Sequence, residues 1–201
     1  MTMAFSDKDH RDCKEAERLL DLAGWEADDD EHDRLMAQAT ALLSRLVEKG
    51  MPDALYLRAS YVSRHEGLSD EEAEARRIKM IEAAALQGHA KAQFVMGQFL
   101  DEEGELSHDP VKSAEWFRLS AEQGYPYAEW VHGLNLLHGL GVPANERLAI
   151  EFIRRAAEGN FEEALRYIAD ACSDGRHGFP IDVEQSRYWR NKLQDSGVTG
   201  L

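Results

Sequence analysis

The chain reads as an all-α protein: a right-handed α-solenoid of about four stacked helix-turn-helix repeats, with an N-terminal helical cap and a C-terminal capping helix. Three observations predict this. A phrase recurs at a step of 36 residues, as Ala84-Ala-Leu-Gln-Gly-His-Ala-Lys-Ala92, Ser120-Ala-Glu-Gln-Gly-Tyr-Pro-Tyr-Ala128 and Ala156-Ala-Glu-Gly-Asn-Phe-Glu-Glu-Ala164. A period in this range is the signature of stacked two-helix units. Each copy also puts Gly or Asn where a helix must reverse, and Ala four residues later. Finally, Gly/Pro-rich loops, Gly139-Leu-Gly-Val-Pro143 and Gly178-Phe-Pro180, follow the second helix of a copy.

The elements follow in order. Residues from about 7 to 24 are helix formers with apolar spacing at Ala16, Leu19, Leu20 and Ala23, and Gly24 is expected to stop them. The run Asp28-Asp-Asp-Glu-His-Asp33 predicts a solvated turn that starts the next helix, since carboxylates suit the positive end of the helix dipole. Residues 1–34 are read as an acidic helical segment packed on the first repeat, and residues 35–201 as the repeats with their cap.

In the first repeat a helix through Leu42, Leu46 and Val47 ends at Gly50, and a second carries Ala54, Ala59 and Tyr61 before a loop near Gly67. The second repeat runs from about Glu71 to Gln87, reverses at Gly88, and continues through Ala92 and Gly97 to a loop at Gly104. Trp116, Phe117, Gly124, Ala128 and Gly133 mark the third. Phe152, Ile153, Asn160, Ala164 and Ala169 mark the fourth. A last helix, about 184–194, carries Tyr188 and Trp189 and stops at Gly197.

Gly50, Gly88 and Gly124 take the reversal because a left-handed backbone costs glycine least. Asn160 replaces glycine there, being the next best tolerated residue. Ala54, Ala92, Ala128 and Ala164, then Ala59, Gly97, Gly133 and Ala169 one turn later, keep the second helix of each pair small where its own first helix is expected to cross. Trp116-Phe117 and Phe152-Ile153 are expected to fill the space between helices.

Composition bounds the function. A chain of 201 residues at 43% hydrophobic can bury a sizeable core, and one domain is expected. A net charge of −15 argues against nucleic acid, which needs clustered Lys and Arg, and against an anionic membrane surface. A basic partner fits better. Over residues 1–35 there are 12 acids against 5 bases, nearly half the whole excess. Cys13 and Cys172 have no metal or disulfide spacing, which points to a reducing compartment. No secretory or membrane-spanning apolar stretch is visible, so the expected location is the cytoplasm.

The repeated residues resemble the Sel1-like repeat, a relative of the tetratricopeptide repeat. Its pattern is an Ala-x-x-Trp-Phe, then Ala-Ala-Glu-x-Gly-x-x-x-Ala, then a Leu-Gly segment and a Gly-x-Gly-Val loop. Residues 113–145 match best, through Trp116-Phe117, Ala121-Glu-Gln-Gly124, Ala128, Gly133 and Gly139-Leu-Gly-Val142. The resemblance covers roughly 36–197. The chain departs from the pattern at His132, Leu136 and His65-Glu-Gly67. The resemblance implies an adaptor or scaffold, of the kind found in quality control, bacterial signalling and secretion. A cysteine-rich subgroup is linked to β-lactam binding, which does not carry over without its paired cysteines.

Catalytic constellations are missing from the sequence. His132 and His138 stand six apart, where a helical metal pair needs three or four, and each reads as a core or loop histidine. His65, His89, His108 and His177 fall at inter-helix turns. Glu102-Glu103 and Glu162-Glu163 are adjacent, so their side chains diverge around a helix. Ser60 and Cys172 lack an activating motif. No catalytic, cofactor-binding or metal-binding residue is assigned, and the chain is expected not to be an enzyme.

The tryptophans read as packing, with Trp25 as an anchor between the N-terminal helix and the first repeat. Lys79, Arg118, Arg154, Arg155 and Lys192 place bases on the first helices, which line the concave face in tetratricopeptide-like stacks. A partner-binding surface is therefore expected at Glu115, Arg118, Leu119, Glu151, Arg154, Arg155, Tyr188 and Asn191. Its partner would be another protein or peptide. The alternative is an immunity or inhibitor protein that occludes a basic bacterial toxin, with acidity steering the encounter.

Overall fold

The computed structural model describes residues 5–61, 68–101 and 106–195. Among them are ten helices and no strand. Two compact units divide the chain, Met1–Ala92 and Gln93–Leu201. The loops expected at Gly67 and Gly104, His65, Glu102-Glu103 and the stop at Gly197 lie outside the described residues.

The first unit begins with α1 (Asp7–Trp25). Ser6 caps it reciprocally: its hydroxyl accepts from the Asp9 backbone N–H at 3.2 Å, and Asp9 accepts from the Ser6 N–H at 3.0 Å. Asp28 caps α2 (Asp29–Glu48), with Asp29, Asp30 and Glu31 in its first turn. The acidic run is thus a helix start, as its charge predicted. α3 (Pro52–Ser60) and α4 (Asp70–Leu86) follow, and Ser69 with Glu72 forms a second capping box.

Cys13, Ala16, Leu19 and Leu20 of α1 share one core with Leu35, Ala39, Leu43 and Leu46 of α2 and with Ala54 of α3. At its edge the Lys49 ammonium donates to buried Asp9 at 2.7 Å, and Arg45 bonds to Asp12. These pairs tie α1 to α2 and hold the Asp9 carboxyl well below the usual range, Lys49 first and Ser6 next.

Two expectations fail at this end. Gly24 does not stop α1. It lies within the helix, which ends after Trp25 when Glu26 turns extended. Trp25 anchors nothing, because its side chain is 90% exposed. The α1–α2 core closes with small and aliphatic residues one and two turns earlier, so the terminal Trp25 points past it.

α5 (Ala90–Phe99) carries the chain into the second unit. There follow α6 (Pro110–Glu122), α7 (Pro126–His138), α8 (Glu146–Glu158), α9 (Glu162–Asp174) and α10 (Val183–Asp195). The reversals take the predicted backbone: φ is 73° at Gly50, 90° at Gly88, 82° at Gly124 and 63° at Asn160. Ala54, Ala92, Ala128 and Ala164 are fully buried.

The small residues one turn later have a different partner from the one expected. A Cβ on Gly97 would lie 2.6 Å from the Phe117 ring, and one on Gly133 2.7 Å from Ile153 Cγ1. Phe117 and Ile153 belong to the next pair's first helix. α7 correspondingly packs more extensively on α8 than on α6, and α9 more on α10 than on α8. The closest crossings therefore join helices linked by the long loops. The short Gly-turn fixes two helix ends together, while the long loop lets the following helix settle along the whole length of the glycine face.

Those loops are tied down in register. The N–H groups of Asp109, Asn145 and Asp182 donate to the carbonyls of Leu100, Leu136 and Cys172, at 3.0, 2.8 and 2.8 Å. Asp109 and Asn145 then cap α6 and α8 with their side chains. Gly141 sits at φ 67°, and a Cβ there would fall 1.9 Å from the Pro110 carbonyl oxygen. That position excludes every side chain.

Candidate functional site

The residues expected to bind a partner lie on α6, α8 and α10 of the second unit. Two cations show how these helices neighbour one another. Arg155 of α8 donates to the Ala121 carbonyl at the end of α6 at 3.0 Å, and Lys192 of α10 donates to the Ala157 and Glu158 carbonyls at the end of α8 at 3.1 and 2.9 Å. Each donates to carbonyls at a helix C-terminus, where positive charge is favoured.

On α6, Arg118 is clamped between two carboxylates of its own helix, Glu115 at 2.6 Å and Glu122 at 2.5 Å. These partners hold its guanidinium charged. Leu119 beside it is half-buried. On α8, Glu151 is paired with Arg147 at 2.8 Å. Arg154 is exposed and makes no ion pair among the described residues. On α10, Tyr188 is 54% exposed and meets the buried Trp189 edge-on at 4.9 Å, and Asn191 is exposed beside it.

Arg155 stands apart from the other seven. It bonds the Glu129 carboxylate of α7 at 2.6 Å and lies 5.0 Å over the Phe152 ring. Glu129 is only 3% exposed. Burial pushes its carboxyl above the ordinary range, and Arg155 opposes that. Sequence reasoning missed this pair, since nothing local links residues 26 positions apart on different helices. Arg118 and Arg155 are thus engaged within the unit, whereas Arg154, Tyr188 and Asn191 are exposed and make no ion pair or side-chain hydrogen bond among the described residues.

Of the core and loop places expected for His132, the structure takes the core. His132 is 2% exposed and stands edge-on to Phe152 at 4.7 Å. Its Nδ1 is buried without a hydrogen-bond partner among the described residues. Burial first, and then the charge of Arg118, push its pKa down to about 4. His89 stacks on Tyr56 at 4.6 Å, and its Nδ1 accepts from the Ala92 N–H at 3.1 Å. That bond serves the start of α5. Burial lowers its pKa against the pull of Asp53.

Among the described residues no group of three or more His, Cys, Asp and Glu is placed to hold a metal ion. Cys13 and Cys172 are free and buried, and burial pushes the Cys13 thiol up to about 11. No described helix is long and apolar enough to cross a membrane.

A second feature of this unit was not legible as a whole. Phe94, Tyr125, Tyr127, Phe161, Trp130 and Tyr167 form an unbroken chain of ring contacts across the starts of α5, α7 and α9. Successive centroids lie 5.4, 5.5, 4.7, 6.0 and 5.5 Å apart, with Tyr127 also 6.1 Å from Phe94. Phe94 and Trp130 stand 36 residues apart, one step of the repeat, and packing was expected for the tryptophan. Their linkage through Tyr125, Tyr127 and Phe161 comes from neighbouring turns.

Helix pairs reversed at left-handed residues, with glycines at the closest crossings, define an all-α repeat protein, and the comparisons place it more closely. The chain contains two stretches that match the Sel1 repeat, residues 90–125 and 126–161. That stretch is narrower than the 36–197 expected from the resemblance. Each matched copy begins with the second helix of one pair and ends on the first helix of the next, the phase of the tighter packing.

The crystal structure of the c5321 protective antigen from uropathogenic Escherichia coli, which displays an SLR fold, is similar with a TM-score of 0.70 and 26% identity, covering 94% of this chain and 38% of that one. A Sel1 repeat protein from Oxalobacter formigenes is similar with a TM-score of 0.63 and 20% identity, covering 79% of this chain and 62% of that one. An uncharacterized protein of Neisseria meningitidis serogroup B is 24% identical over 159 residues. The chain spans about a third of that protein's length, the match covering 32% of it. Sel1 repeats are generally protein–protein interaction modules.

Proposed function

We propose that this chain is a non-catalytic adaptor that holds a protein or peptide on the face made by α6, α8 and α10. The observation that carries the proposal is the trio Arg154, Tyr188 and Asn191. All three are exposed on two neighbouring helices, and Arg154 makes no ion pair among the described residues. Exposed Tyr and Arg are the residue types that most often dominate protein interfaces. Glu115, Leu119 and Glu151 border them, while Arg118 and Arg155 stiffen the floor.

The test is capture of a partner from the native host, identification by mass spectrometry, and remeasurement with purified components. Replacing Arg154 and Tyr188 with Ala is expected to weaken a verified partner about tenfold or more. Unchanged affinity with an intact fold would remove this face from the assignment.

A second reading is favoured by the charge. A net −15, with the exposed Trp25 beside the acidic start of α2, suits an inhibitor that occludes a basic toxin. Growth rescue on co-expression with such a toxin, and association that weakens steeply with salt, are its expected outcomes. Salt-independent association would count against it.

A further inference from the structure

We propose that the end of α1, where Leu22 and Trp25 stand exposed beside the acidic start of α2, is a docking surface for a basic partner that presents an apolar side chain flanked by Lys or Arg. This surface rests on the second reading of function, in which the partner is basic.

The apolar part is a pair. Leu22 is 45% exposed and Trp25 90%. They stand three apart, so they share a helix face, and Trp25 points nearly opposite to the buried stripe of Ala16, Leu20 and Ala23. The backbone beside them is open too, since a Cβ on Gly24 would meet nothing within 4 Å. Tryptophan is highly buried on average, and an indole left this open offers the kind of anchor that dominates interfaces.

Three features favour a cation at this place. The first is uncompensated carboxylate. Asp21 lies one turn before Trp25 at the i, i+4 spacing, on the same face. The His32 ring donates through Nδ1 to the Ala23 carbonyl at 2.9 Å, which holds the first turn of α2 against the last turn of α1. Residues 18–34 carry seven acids and two bases. Both bases are already paired, Arg18 with Glu15 at 2.7 Å and Arg34 with Glu31 at 2.5 Å. Asp21, Asp29, Asp30 and Asp33 are exposed and make no ion pair among the described residues. The next bases back along α1, Lys14 and Arg11, stand about 17 and 21 Å from Trp25 along the axis, beyond the screening length of about 8 Å.

The second feature is the helix end. α1 has no base in its last turn, although its C-terminal dipole favours positive charge. The third is the indole itself, whose face attracts Lys and Arg through its quadrupole. A basic partner would pair these groups, whereas an acidic one would meet like charge around the same apolar pair.

The experiment uses the full chain and a labelled amphipathic helical peptide of Leu and Lys, read by fluorescence anisotropy. A Leu–Glu peptide of the same pattern and a Lys–Gly peptide without apolar residues are the comparisons. The Leu–Lys peptide is expected to bind, more weakly as salt is raised. The Lys–Gly peptide is expected to bind less tightly, and the Leu–Glu peptide not at all. Trp25→Ala is expected to weaken the Leu–Lys peptide about tenfold. Asp29→Asn with Asp30→Asn is expected to reduce the salt dependence, with Asp28 still capping α2. Tyr188→Ala removes an exposed ring of the second unit and is expected to change nothing. Equal binding by wild type and Trp25→Ala, an equal loss in Tyr188→Ala, or a Leu–Glu peptide that binds as well would overturn the proposal. Helical circular dichroism checks each fold, and an indole this exposed can be truncated without opening the core. Growth rescue separates the surface from the reading beneath it. Rescue from a basic toxin by wild type and Trp25→Ala alike would keep the reading and remove this surface. Peptide binding that depends on Trp25, without rescue, would keep the surface and remove the toxin.

Discussion

Arg155 on α8 reaches across to α7 and bonds the buried Glu129 carboxylate at 2.6 Å, while the same guanidinium covers the Phe152 ring and donates to the Ala121 carbonyl. One side chain thereby joins three helices of the second unit. Removing it strands a carboxylate that burial already disfavours.

Arg155→Ala is expected to destabilise the fold by about 2 kcal/mol, the cost of an uncompensated buried polar group. Much of that loss should return in Arg155→Ala with Glu129→Leu, because an apolar replacement removes the desolvation penalty. Urea unfolding of the two variants against wild type checks both statements. Additive losses in the double variant would contradict the coupling.

His132 makes stability depend on pH. Its folded pKa is pushed down to about 4 from an ordinary 6.5, by burial and by Arg118. Between those values the unfolded chain takes up a proton that the folded chain refuses. The contribution is full above about 6.5 and is lost as pH falls towards 4, with a slope of at most about 1.4 kcal/mol per pH unit. His132→Phe is expected to flatten this fall and to remove the unpartnered Nδ1. Unfolding free energies measured across that window provide the check.

Asn160 holds a left-handed backbone at φ 63°, which its counterparts Gly50, Gly88 and Gly124 also adopt. Asn160→Gly is expected to be neutral or slightly stabilising. Asn160→Val is expected to cost about 1–2 kcal/mol, because a β-branched side chain resists positive φ. Thermal unfolding of the two variants distinguishes this from a role in a side-chain contact, which both substitutions would damage alike.

Gly133 lies against Ile153 so closely that an added Cβ would sit 2.7 Å from Cγ1 and 3.3 Å from the Ala149 carbonyl oxygen. Gly133→Ala is expected to cost about 1–3 kcal/mol through overpacking, despite alanine's better helix propensity. Only loss of Cγ1 relieves the side-chain contact, so the added cost of Gly133→Ala should shrink when it is measured in an Ile153→Ala background. An unchanged cost would place the strain on the backbone contact instead.

The sequence by itself determined the repeat period, the reversal points and the Asn160 substitution. These are local demands: a tight helix reversal needs a residue that tolerates positive φ, whatever lies around it. The acidic run at Asp28 was likewise legible as a helix start, because capping acts within one turn.

Tertiary structure decided which helix crosses each glycine. Gly97 and Gly133 are small for Phe117 and Ile153 of the following helix, a choice that spacing alone leaves open. It also decided that Arg155 is bound to Glu129 while Arg154 is exposed, although the two are adjacent in sequence. A helix turns by about 100° per residue, so neighbours face different surroundings, and only the packing of α7 against α8 determines which one meets a buried carboxylate. Trp25 and the chain of aromatic rings show the same limit from the other side. A ring's type is written in the sequence, but whether it is covered depends on what else arrives at that place in the fold.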